Sequence, residues 1–232
     1  MTTSPITARQ QDTHERPAEL RRTSVLDELR LSAEATPVLA RRLGWDYLRE
    51  LGDAGRFDQL AELFADGRAP DGPHGAMEGL IIGKLFGIPE ARLANPLMKI
   101  DPTWRGKTFD IKSGTGFNRL SPLAQISLRA VAPLYTGLRR VGDEVVGFGF
   151  RHVIDTAAVA PFNQVRALDY SVPQYRNPSV RTFPIKRTRD EVVELTPGLY
   201  LGRALLTLHS GEIRLIAYFG LREFSDEAEA HS

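Results

Sequence analysis

RDEVVELTPGLYLGRALLTLHSGEIRLIAYFGL, from Arg189 to Leu221, reads as three β-strands joined by two tight turns, at Pro197-Gly198 and Ser210-Gly211. Three apolar strands in close succession cannot stand alone in water, so they belong to a larger sheet that closes, stacks or is covered. No cofactor or nucleophile motif accompanies them. The fold class is mainly β, and function has to be sought in side chains that the strands turn toward a shared interior.

Working outward from this meander, further strand-like stretches run over Met77 to Leu85, Gly106 to Lys112, Glu144 to Ile154 and Gln164 to Tyr170. Gly79, Gly83, Gly147, Gly149 and Gly202 lie inside strands, where glycine permits the sharp bends and bulges of a barrel wall. Upstream, Val25, Leu26, Leu29, Val38, Leu39, Leu43 and Tyr47 repeat at helical spacing, and Phe57, Leu60, Ala61 and Phe64 mark a third short helix. These helices should pack on the barrel or cover its mouth. One more helix, beginning at Pro122, interrupts the β region and is placed to lid one barrel end. Residues 172–186, with three prolines, read as a long loop. The chain therefore divides into a disordered arm (1–22), a helical extension (23–68), a β-barrel domain (69–224) and a flexible tail (225–232).

Composition narrows the chemistry. At 232 residues the chain can bury a core without staples, and with no cysteine it has no disulfide framework, thiolate nucleophile or cysteine-based metal site, which suits a reducing cytoplasm. Thirty Lys and Arg against 29 Asp and Glu leave no excess for phosphate neutralisation, so a nucleic-acid partner is not expected. The longest apolar run, around Leu80 to Ile82, is far shorter than the roughly 20 residues of a spanning helix. No signal-peptide pattern opens the chain, so a cytoplasmic location is expected.

Alternate residues of a strand share a face, so a polar residue in phase with apolar neighbours is a candidate for the interior. Lys107 is in phase with Phe109 and Ile111, and His152 with Val146, Phe148, Phe150 and Ile154. Asp169 shares a face with Val165 and Ala167, although Leu168 and Tyr170 make the other face almost as apolar. A lysine, a histidine and an aspartate meeting in a dry interior supply groups that give and take a proton without a cofactor. The bland reading of such a set is a structural ion pair beside a satisfied core histidine. Arg189, in the RDE run, is expected at the barrel mouth, with Asp190 or Glu191 positioning it; its ordinary reading is strand-edge charge. Tyr200 and Tyr218 lie beside small residues that leave space for a ligand. GTGFN at Gly114 and GFGF at Gly147 do not complete a dinucleotide fingerprint. His74, His152 and His209 are too far apart for a local metal motif, so neither cofactor nor metal is expected.

The combination of WRGKTF (Trp104 to Phe109), Asn118, LDYS (Leu168 to Ser171) and RDEVVELTPGLYLG (Arg189 to Gly202) resembles a family of bacterial and fungal proteins of largely uncharacterised function that look like calycin-type, lipocalin-like barrels. The resemblance spans Met77 to Leu221 and implies an antiparallel barrel with room for one small lipophilic ligand, the helix at Pro122 being an insertion. It supplies no catalytic residues. The expected activity is a cofactor-independent cyclase, isomerase or lyase of small-molecule metabolism, with Lys107, His152 and Asp169 handling protons. Asn118, Arg189, Tyr200, Tyr218, Trp104, Phe148 and Phe150 would contact the substrate. The rival readings are a non-catalytic carrier or sensor of a lipophilic molecule and a partner-binding module built on the N-terminal helices. Homo-oligomerisation is left open.

Overall fold

The computed structural model describes residues 24–83, 103–179 and 184–224. The expected arm 1–22, the tail 225–232 and the end of the first expected strand, at Lys84 and Leu85, lie outside the described residues.

Eight strands close into an antiparallel barrel. They are β1 (Gly75–Ile82), β2 (Trp104–Asp110), β3 (Thr115–Leu120), β5 (Glu144–Thr156), β6 (Gln164–Asp169), β7 (Thr188–Thr196), β8 (Leu199–Thr207) and β9 (Ile213–Glu223). A short β4 (Arg139–Val141) hairpins onto the start of β5. Each barrel strand pairs with its sequence neighbours, β9 returns to β1, and β3 reaches past β4 to pair with β5. The meander read from the sequence forms three adjacent staves, and Gly198 and Gly211 both take the positive φ that their tight turns require.

Two readings of the strands need correction. β3 was not expected: TGFNRL holds a glycine and an asparagine, both poor strand formers, and its place comes from pairing on both edges. In β5 the in-phase set extends neither on to Ile154, which is exposed, nor back to Val146. One extra residue bulges at Phe148, which takes φ 49°, so Val145 rather than Val146 joins the interior cluster.

The wall has two apolar sides. Inside lie Met77, Phe109, Phe150, Leu168, Val192 and Phe219, among others. On the outer side of β1 and β6 to β9, α1 (Val25–Ala35), α2 (Pro37–Asp53) and α3 (Phe57–Asp66) bury Leu26, Trp45, Leu48, Leu60 and Phe64 against Val193, Leu195, Leu199 and Leu201. The N-terminal helices therefore pack on the barrel wall. A Ser24–Asp27 capping box starts α1, and Pro37 opens α2. Arg30 ties α1 to the wall and to α3 through the carbonyls of Leu195 and Asp66. After β3, α4 (Ala124–Val131) sends Ala124 and Leu128 into the interior cluster at one barrel end.

Candidate functional site

Lys107 is 2% exposed and sits midway along β2, paired in register with Met77 of β1 and Asn118 of β3. Gly106 before it has φ 131° and approaches the Met77 carbonyl so closely that a Cβ there would collide with the oxygen. That glycine ends the stretch of β2, from Trp104 to Gly106, where the register slips by one residue.

The Lys107 ammonium donates to Asn118 Oδ1 at 2.9 Å and Tyr170 OH at 2.7 Å, and pairs with Asp190 Oδ2 at 2.8 Å. Tyr170 donates to the same Asp190 oxygen at 2.8 Å. Asn118 accepts from Trp104 Nε1 at 2.9 Å and donates to the Phe148 carbonyl at 3.0 Å. Around Lys107 Nζ, the rings of Trp104, Phe150, Tyr170 and Phe219 have their centroids 5.1–5.4 Å away. Trp104 and Phe219 fit because they lie against the bare backbones of Gly79 and Gly202. The space expected beside Gly202 is filled by the Phe219 ring.

Burial pulls the Lys107 ammonium below the ordinary lysine value, and the Asp190 carboxylate opposes this without cancelling it. Burial, reinforced by Asp190, pushes the Tyr170 hydroxyl well above the ordinary tyrosine value, so it stays a proton donor. The cluster thus joins an acid that is easily discharged, a carboxylate and a hydroxyl that keeps its proton.

Lys107, Asn118, Trp104 and Phe150 come together as one group. Phe148 borders it, stacked on Tyr135 with ring centroids 4.8 Å apart. His152 does face the interior, but elsewhere: its Nδ1 lies 2.9 Å from Arg166 Nη1, and Arg166 in turn donates to the carbonyls of Pro70 and Asp71. Burial and the neighbouring guanidinium hold His152 below the usual histidine value. Tyr200 also faces inward, its hydroxyl raised by burial and by Glu194.

Three expected members are elsewhere. Asp169 is exposed, because Val165 and Ala167, with which it shares a face, turn outward to the helices, and it accepts from the Ser171 amide. Tyr218 lies in that outer cluster, not in the interior. Arg189 is outside the barrel, bonded to Asp155, Glu191 and the Thr156 carbonyl, and not at the cluster. Tyr170 is a member that sequence reasoning did not assign, and Asp190 was expected only as a possible partner of Arg189, a place that Glu191 takes while Asp190 turns inward to Lys107. The signal was available: Leu168 faces inward on β6 and Tyr170, just past its end, keeps that phase, and Asp190 alternates with Val192 on β7.

Among the described residues, no group of three or more His, Asp or Glu converges as metal ligands, and no helix is long and apolar enough to cross a membrane. Comparison of the chain with protein-family models, curated proteins and solved structures returns no match.

Proposed function

We propose that this chain is a cofactor-independent enzyme of small-molecule metabolism, a lipocalin-like barrel that encloses a hydrophobic carbonyl compound and moves a proton beside its carbonyl. The observation that carries this reading is the triangle of Lys107, Tyr170 and Asp190 inside a shell of four aromatic rings. Taking a lysine and an aspartate out of water costs several kcal/mol per ion, and apolar side chains would fill a barrel at no such cost. In this reading the Asp190 carboxylate takes a proton from the carbon next to the carbonyl. The Lys107 ammonium and the Asn118 amide hold the oxygen as it becomes negative, and Asp190 or the Tyr170 hydroxyl returns a proton to the adjacent carbon. The same proton transfer underlies isomerisation, cyclisation and elimination.

One observation favours the carrier reading: every hydrogen of the Lys107 ammonium already has an acceptor, so a substrate oxygen must displace one. Proton exchange separates the two. With a panel of cyclic ketones in D2O, NMR should show deuterium entering the α-carbon faster than in buffer, and Asp190→Asn should slow this about 100-fold or more. Ketones that bind without exchange would leave the carrier.

A further inference from the structure

The chain has five lysines, at 84, 99, 107, 112 and 186. Lys112 and Lys186 are exposed, whereas Lys107 is inside the barrel wall. Its Nζ, the Tyr170 hydroxyl and Asp190 Oδ2 are mutually 2.7–2.8 Å apart, which is hydrogen-bond contact on all three sides. A proton passed from the ammonium to Asp190 leaves a neutral amine one hydrogen bond from a hydroxyl donor. That is the arrangement needed for attack on a carbonyl. The half-buried Trp104, bonded to Asn118 and edge-on to Phe219 at 5.6 Å, is the most exposed ring of the shell.

We infer that Lys107 is a carbonyl-trapping amine: an aldehyde or ketone admitted to the barrel condenses with its Nζ to form an imine. This rests on the reading above only in requiring that a carbonyl compound reaches the cluster. The ammonium gives one proton to Asp190, and the freed nitrogen pair forms the N–C bond while the carbonyl π pair moves to oxygen. Tyr170 protonates that oxygen, giving a carbinolamine, and Asp190 returns its proton to Tyr170. The nitrogen loses a second proton through the same pair to the departing hydroxyl, which leaves as water, and the nitrogen pair so freed closes the C=N bond of the iminium, which keeps the third hydrogen. In sum, ammonium and carbonyl become iminium and water with no change in charge, and the iminium then pairs with Asp190. The lowered proton affinity of Lys107 works in the same direction, since burial leaves a larger share of its amine neutral than at an exposed lysine.

Benzaldehyde with sodium cyanoborohydride near neutral pH, followed by intact mass and peptide mapping, tests this on the full chain. The expected result is one adduct at Lys107, formed about tenfold or more faster than at Lys112 or Lys186, and its loss at that site in Lys107→Arg. Adducts at the exposed lysines with none at Lys107 would overturn it, and this is read on the wild-type protein even if the variant does not fold. Deuterium exchange into ketones without a Lys107 adduct would sink the imine and leave non-covalent proton transfer standing. An adduct without exchange would do the reverse.

Discussion

Asp190 and Glu191 are neighbours on β7, both almost fully buried and both paired with a cation, yet they face opposite sides of the barrel wall. Outside, Glu191 accepts from Arg203 at 2.9 Å, Arg189 at 3.1 Å and the Ala158 amide at 2.6 Å. Arg203 also donates to the carbonyls of Val159 and Ala160 and lies over the Phe64 ring. Its bonds to Ala158, Val159 and Ala160 tie the β5–β6 connection to the wall, so its charges are explained by the chain segment they hold. Inside, Asp190 meets Lys107, whose backbone β-pairing already fixes, and Tyr170, the residue that follows β6. Beyond that one residue, the inner network ties no connecting segment to the wall. The difference teaches that burial and pairing alone do not mark a site; what each pair is bonded to does.

Removing one partner of the outer network should have the largest effect. Glu191→Gln leaves the Arg203 guanidinium buried without its anion, and urea unfolding should show a loss of about 3–5 kcal/mol. Next, Asp190→Asn should cost the proton exchange about 100-fold, about 2.7 kcal/mol of barrier. Lys107 can shed its proton once its anion is gone, which Arg203 cannot, so Asp190→Asn should destabilise the chain by less than Glu191→Gln; an equal loss would collapse the contrast between the two sides. His152 sharpens the comparison by pH. Its folded value is depressed, so the unfolded chain takes up a proton near the ordinary histidine value of about 6.5 while the folded chain does not. Stability is then full above that pH and falls as pH drops below it, by at most about 1.4 kcal/mol per pH unit, and His152→Gln should flatten this slope in pH-dependent denaturation. The smallest effect is expected at the half-open Arg41–Glu223 pair, where Arg41→Ala should change stability by roughly 0.2–1 kcal/mol and less in high salt.

How far the sequence revealed this follows from what each residue depends on. The three terminal strands and their turns were legible because alternation and the glycine turns are local. Thr115–Leu120 was hidden because its strand character comes from two partners distant in sequence. Lys107 and His152 were found because each stands among aromatic residues of its own strand. Asp169 was misplaced because both faces of β6 are apolar, one toward the barrel interior and one toward the helices, so alternation could not say which was which. Tyr170 was passed over for the same reason, and Asp190, beside Arg189 and Glu191, was read as part of a strand-edge charge run. A helix-covered barrel buries both sides of its wall, and the hydrophobic pattern loses its direction there.

The central claim is that the inner network is present for chemistry and not for the fold. Replacing a buried ion pair by apolar residues of similar size is often neutral or stabilising by about 1–4 kcal/mol. Urea unfolding of Lys107→Met/Tyr170→Phe/Asp190→Leu, beside Arg203→Met/Glu191→Leu, tests this directly. The account predicts that the inner triple variant keeps or gains stability while losing ketone exchange. The outer double variant should lose about 1–3 kcal/mol for each loop group it orphans. An inner variant destabilised as much as the outer one would contradict it.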